Sequence, residues 1–182
     1  MDKFVGIIEQ KIMPVANRIG TQRHMTAIRK GIIATMPLTI VGSFFTILLN
    51  IPIESVAAVI EPYREILDIP FRYTVGILAL YATFGIASSL AKSYKVDSLT
   101  AGILALMSFL IVAAPPTRVF EDVDNVIGAG RYINIANLGS GSLFGAIVTA
   151  IISVEIYRFF IEKKITIKMP DGVPPEVTNS FV

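Results

Sequence analysis

The chain has no cysteine and no tryptophan, and its one histidine is His24. Without cysteine there is no disulfide and no thiolate chemistry. With one imidazole and no thiol, the usual nitrogen and sulfur ligand sets for a transition metal cannot be built. There is no Walker-type phosphate loop and no nucleophile elbow. No catalytic residue, metal or cofactor is therefore assigned. Charge is scarce as well: 16% of the 182 residues are charged, against about 25% in a soluble domain. The pI near 8.9 rests on a net charge of only +2, so nucleic acid is not an expected partner.

What fills the chain instead is apolar. Hydrophobic residues make up 53% of it, and the mean hydropathy is +0.67. Gly31 to Ile53 contains no charged residue. As a helix rising about 1.5 Å per residue, this run reaches roughly 34 Å, enough to cross a bilayer core of about 30 Å. Arg23, Arg29 and Lys30 precede it and Glu54 follows it. The run is too long, and begins too far into the chain, for the apolar core of a cleaved signal peptide, so it reads as an uncleaved signal anchor.

Three further uncharged runs follow: Tyr73 to Ala91, Ser98 to Ala114, and Leu138 to Val154, the last continuing apolar to Ile161. The expected fold class is all-α: a polytopic membrane helix bundle with four transmembrane helices, at about 31–53, 73–91, 98–114 and 138–161. The third, which stops at Pro115-Pro116, is the least secure in length.

The basic residues orient this bundle. Twelve Lys and Arg fall in the N-terminal segment, the second-to-third loop (Lys92, Lys95) and the tail; four fall on the other side, at Arg64, Arg72, Arg118 and Arg131. The positive-inside rule then puts both termini in the cytoplasm of a multi-pass protein. Tyr73, Tyr94 and Tyr157 fall near span ends, where an aromatic belt would place them.

Residues 1–30 read as a cytoplasmic amphipathic segment. Phe4, Ile7, Ile8, Ile12, Val15 and Ile19 recur at helical spacing, with a kink expected near Pro14. The apolar face would rest on the membrane surface, or else on a partner or the bundle. The loop from Thr117 to Asn137 has no clear period. Residues 162–182 read as a cytoplasmic tail, with strand-like alternation over Ile165 to Met169 before a Pro170-Asp171-Gly172 turn.

Few polar groups lie inside the spans. His24, flanked by Arg23 and Arg29, is expected at the headgroup level rather than in a site. Glu155 is the one acid embedded in an apolar run, and an intramembrane acid is a functional candidate by default. Arg158 stands one turn away, so an interfacial i, i+3 pair is the simpler reading. Asn137, Ser140 and Ser142 open the fourth span and offer hydrogen bonds to a polar ligand path, which makes them the candidate substrate-binding residues. In the same stretch, Gly141 and Gly145 form a GxxxG pair that would let another helix approach closely. Pro37 and Pro115 would free backbone carbonyls, which line cavities in some membrane proteins and only kink helices in others.

Several separated motifs carry a resemblance. Arg23-His-Met-Thr-Ala-Ile-Arg-Lys-Gly31, running into Met36-Pro-Leu-Thr-Ile-Val-Gly-Ser-Phe-Phe45, resembles the start of the membrane permease subunit, enzyme IIC, of the lactose/cellobiose/diacetylchitobiose branch of the bacterial phosphotransferase system. Leu138-Gly-Ser-Gly-Ser-Leu-Phe144, Val154-Glu-Ile-Tyr-Arg158 and Met169-Pro-Asp-Gly-Val-Pro-Pro175 resemble the same family in the same order. The resemblance implies a homodimeric carrier in the bacterial plasma (inner) membrane. Such a carrier holds a disaccharide of the cellobiose, diacetylchitobiose or lactose type while a IIB subunit, charged through IIA, phosphorylates it.

Members of that family are longer, and the carboxylate and histidine they use to hold the sugar lie in their later half. The expectation is that this chain is the first half of the IIC fold, that its tail leads to a fifth span beyond Val182, and that it is not active alone. The alternatives are a truncated dimerisation or regulatory module and an unrelated four-span accessory protein.

Overall fold

The computed structural model describes residues 13–115, 117–119, 130–163 and 165. The chain opens with α1 (Met13–Gly20) and α2 (Arg23–Ile33), followed by α3 (Met36–Leu49). Two shorter helices, α4 (Glu54–Ile60) and α5 (Arg64–Arg72), lead to α6 (Leu78–Tyr94) and α7 (Ser98–Ala113). Two three-residue strands, β1 (Thr117–Val119) and β2 (Gly130–Tyr132), pair antiparallel before the last helix, α8 (Leu143–Glu162).

Among the described residues, three stretches are long and apolar enough to cross a membrane: Arg23–Leu49, Val75–Tyr94 and Ser140–Glu162. The apolar α7 has 16 residues, about 24 Å of helix and short of a bilayer core of about 30 Å. Its end is set by Pro115, which disfavours helical backbone at Ala114; that residue sits at φ −140°.

The first stretch begins on α2, well before Gly31, so Arg23, Arg29 and Lys30 ride on the helix itself. Long basic side chains can lie along a helix end and reach outward to water. α2 and α3 are separated by a short break at Ala34 and Thr35. Pro37 has no N–H to close the turn there. The Thr35 hydroxyl donates back to the Ile32 carbonyl at 2.7 Å, and the Thr35 amide bonds the same carbonyl at 3.0 Å.

α6 is the centre of the bundle and packs on α2, α7 and α8. Its buried residues come in pairs every four positions: Leu78-Ala79, Ala82-Thr83, Ile86-Ala87 and Leu90-Ala91. A pair on each turn makes a stripe wide enough for several neighbours. The core is built mainly from small side chains, Ala27, Ala82, Ala87, Ala101, Ala105 and Ala150 among them. Small residues let helix backbones approach where lipid removes the hydrophobic drive to associate. The large apolar side chains point the other way: Ile40, Phe44, Ile47, Ile111, Val112 and Phe144 are all more than 60% exposed. An apolar exterior around a small-residue core suits lipid as the surroundings.

α2 crosses α6 at close range. A Cβ placed on Gly31 would lie 2.4 Å from the Ile86 backbone nitrogen, and one on Gly85 would lie 3.0 Å from the Gly31 carbonyl oxygen. The link from α6 to α7 is equally tight. Lys95 takes a left-handed φ of 59°, and the Val96 amide reaches back to the Ala91 carbonyl at 3.2 Å. This is a Schellman-type helix stop. Asp97 then caps α7, accepting from the Thr100 amide at 2.8 Å.

Several expectations meet a different structure. The stretch between the first two spans, read from sequence only as an outer loop, folds into α4 and α5, with α5 against α3. The aperiodic loop after α7 holds the β1–β2 pair, with Arg118 opposite Arg131; three-residue strands are too short to show a period. Residues 1–12 of the amphipathic segment lie outside the described residues, and Pro14 sits in the first turn of α1. The strand-like tail, apart from Ile165, lies outside them too.

Candidate functional site

The ends of α2, α6 and α8 meet at the basic end of the bundle. His24 is the second residue of α2, Tyr94 the last of α6, and Glu155 stands on α8. His24 Nε2 lies 3.0 Å from Glu155 Oε1, and the Tyr94 hydroxyl donates to the same oxygen. The second carboxylate oxygen, Oε2, lies 3.6 Å from Arg158 Nη1. Arg158 also donates from Nε to Glu162 at 2.6 Å. The Tyr94 ring carries two guanidinium groups over it, Arg158 at 4.2 Å and Arg23 at 4.7 Å from the ring centre. One carboxylate thus gathers an imidazole, a phenol and a guanidinium from three helices.

The side chains of His24 and Glu155 are 33% and 37% exposed, so this is a half-open clamp and not a sealed pocket. It pins the ends of α2, α6 and α8 together. The Glu155–Arg158 pair expected from sequence is present. His24, expected merely at the headgroup level, is tied to Glu155 across 131 residues of chain. One sequence signal could have joined them: the Lys and Arg asymmetry places His24, Tyr94 and Glu155 at the same end.

Beside the clamp runs an open groove of about 960 Å³ between α2 and α6. At the opposite end, a cavity of about 360 Å³ is bounded by α3 and α5 and lined by Asn50, Arg64, Glu65 and Arg72, among others. Its polar groups largely satisfy one another. Asn50 donates to the Thr46 carbonyl at 2.7 Å, Arg64 pairs with Glu61 at 3.4 Å, and Arg72 pairs with Asp68.

Asn137, Ser140 and Ser142 lie in two successive 3-10 turns, Ile135–Leu138 and Ser140–Ser142, that lead into α8. Asn137 and Ser140 are exposed and Ser142 is half-buried. None of the three lines either cavity. Gly139 anchors the segment: a Cβ there would lie 3.0 Å from the Gly76 carbonyl oxygen. Among the described residues, nothing comes within 4 Å of a Cβ built on Gly141, and for Gly145 only Phe109 does, at 4.0 Å. Among the described residues, Gly31 and Gly85 sit at the close α2–α6 approach, and Gly102 of α7 meets Phe84 and Ser88 of α6, where a Cβ would lie 2.6 and 2.7 Å away. Among the described residues, no three His, Asp or Glu side chains are placed to hold a metal.

Comparison with known proteins adds to this geometry. The family model described as "Phosphotransferase system, EIIC" matches residues 29–182. The lichenan permease IIC component of Bacillus subtilis (strain 168) is 44% identical over 188 residues, covering 100% of this chain and 42% of the relative. The cellobiose-specific EIIC component of Geobacillus stearothermophilus is 44% identical over 189 residues, again 100% of this chain and 42% of the relative. Among solved structures, the transporter ChbC, the IIC component of the N,N'-diacetylchitobiose-specific phosphotransferase system, superposes with a TM-score of 0.80 at 39% identity. That match covers 96% of this chain and 42% of ChbC. The chain therefore spans about two fifths of the length of these relatives.

Proposed function

The chain belongs to the EIIC family of the phosphotransferase system, and from that premise we propose that it forms part of a sugar permease in a bacterial plasma membrane. The assembled permease takes up a disaccharide of the cellobiose, diacetylchitobiose or lactose type. A IIB component, charged through IIA, phosphorylates the sugar as it is delivered inside. The observation that carries this reading is the 44% identity to lichenan and cellobiose components along the whole of this chain. Because the chain spans 42% of each of them, the activity is proposed for the assembled permease and not for these residues by themselves.

Within that permease the chain crosses the membrane four times, with α7 as a short crossing. The reading is supported by α7 packing on both α6 and α8. Both termini face the cytoplasm, a reading that rests on the twelve-to-four division of Lys and Arg. A cytoplasmic reporter fused after Val182 is then active; an active periplasmic-type reporter at that site reverses the orientation. Asn137, Ser140 and Ser142 offer hydrogen bonds to a polar path at the acidic end, and Gly141 and Gly145 offer a flat surface to a second copy of the chain.

The test of the function is disruption of the gene in its host. Washed membranes are assayed for phosphoenolpyruvate-dependent phosphorylation of cellobiose, diacetylchitobiose and lactose, with the soluble phosphotransferase components supplied. Loss of one of these activities, restored by a plasmid-borne copy, is the expected result. Three unchanged activities would overturn the proposal.

A further inference from the structure

The groove between α2 and α6 has a chemistry of its own. Its α2 wall carries Arg23 and Lys30, and its α6 wall carries Lys92. No carboxylate lines it. Among the described residues, none of these three cations has an Asp or Glu within ion-pair distance, whereas Arg64 and Arg72 at the opposite end each hold one. The volume comes from small side chains at the floor: Ala27 and Ala34 from α2 and Gly85 from α6. Larger residues there would fill the space that the cations surround.

Hydroxyl groups complete the lining. Ser88 and Ser93 already donate to the Ser98 and Leu90 carbonyls, at 3.0 Å and 2.6 Å. Thr26 and Ser89 have no side-chain hydrogen-bond partner among the described residues, so their O–H groups are free to donate. Three positive charges and two free hydroxyl donors around one open space, with no negative charge, match an oxyanion that takes several charge-assisted hydrogen bonds.

The groove's place in the bundle narrows the source of that anion. Its α2 wall ends in Ile32 and Ile33, at 39% and 53% exposure. Phe84 lines the groove itself. A ligand seated among the cations therefore has apolar surface within reach. Basic recesses between transmembrane helices recognise anionic lipid headgroups in this way.

We infer that this groove binds the phosphate of an anionic phospholipid, with Arg23, Lys30 and Lys92 as its charge partners and Thr26 and Ser89 as neutral donors. A lipid held there bridges α2 and α6 beside the His24–Glu155 clamp. The inference does not depend on which sugar the permease carries.

The test is native mass spectrometry of the purified chain in detergent, titrated with short-chain phosphatidylglycerol or with phosphatidylcholine of the same chain length. The unaltered chain retains phosphatidylglycerol in preference to phosphatidylcholine. The double variant Lys30→Gln/Lys92→Gln weakens phosphatidylglycerol binding by about tenfold or more, since each basic side chain near an anionic headgroup adds attraction. Lys95→Gln/Lys163→Gln removes the same charge outside the groove and leaves the binding as it was. Circular dichroism and thermal unfolding in the same detergent confirm that both variants are folded. Equal retention of the two lipids, or an equal loss in both variants, overturns the inference. So does displacement of the lipid by millimolar inorganic phosphate alone, because the site would then be one for a free anion.

Discussion

His24 Nε2 lies 3.0 Å from Glu155 Oε1, joining the first residues of α2 to the last turns of α8. With the Tyr94 hydroxyl on the same oxygen, the carboxylate closes a three-helix clamp at the basic end.

That clamp should show energetic coupling. Hydrogen bonds to charged groups contribute about 1.5–3 kcal/mol when buried, and half-exposure lowers this toward about 1 kcal/mol. In a double-mutant cycle with His24→Ala and Glu155→Ala, thermal unfolding in detergent should give a coupling of about 0.5–1 kcal/mol. A coupling of zero would mean that the two side chains are neighbours without mutual stabilisation.

Gly31→Ala should be far more damaging than an ordinary Gly-to-Ala change in a helix, which stabilises by up to about 1 kcal/mol. The added Cβ would meet the Ile86 backbone nitrogen at 2.4 Å, so α2 and α6 must separate. Overpacking of this kind costs about 1–3 kcal/mol or more. Gly20→Ala, where no atom lies within 4 Å of the new Cβ, is the control. Equal melting temperatures for the two variants would show that the α2–α6 crossing is not close.

Asp97 caps α7 outside the apolar helices, and Asp97→Ala should cost about 1 kcal/mol. Hydrogen bonds from Thr100, side chain and then backbone, with a further one from the Leu99 amide, hold its carboxyl below the usual carboxylate range. A group whose folded pKa is depressed adds stability that is full above its unfolded value, about 3.9, and is lost as pH falls through the folded value. The Asp97→Asn variant keeps a capping oxygen without the charge. The stability gap between wild type and this variant should therefore be constant from pH 7 to about 5 and shrink below about pH 4. A gap that does not vary with acidity would remove the carboxylate's role.

Gly141→Ile with Gly145→Ile tests the surface at the start of α8. Both positions are open within the chain, so the monomer should fold as before. If a second copy sits on this face, the crosslinked dimer yield in membranes should fall severalfold, because the bulky side chains hold the backbones apart. An unchanged yield would put lipid or a cavity against these glycines.

Residues 1–182 expressed alone should not take up sugar. Each unpaired hydroxyl in the membrane interior costs on the order of several kcal/mol. Asn50, Glu155 and Asn137 do not converge on one site: Asn50 bonds its own helix, Glu155 is held in the clamp, and Asn137 is exposed in a turn. Labelled cellobiose, lactose or diacetylchitobiose would be offered to cells lacking their own disaccharide permease, with every soluble component supplied. Uptake above the empty-vector level would mean that copies of this chain assemble a complete site.

The apolar runs, the stop of α7 and the balance of basic residues were legible in the sequence, because each depends on near neighbours. Pro115 ends α7, and Glu155 meets Arg158 within one turn. The helices α4 and α5 were missed because they are short and flanked by charge; for α5, tertiary contact with α3 makes up what local propensity lacks. The tertiary structure alone decided that Gly31 and Gly85 bring α2 and α6 together. It alone placed His24 against Glu155, and aligned Arg23, Lys30 and Lys92 around one groove. These relations join residues far apart in the chain. No spacing rule reaches across separate helices; only their packing angles and rotations set such distances.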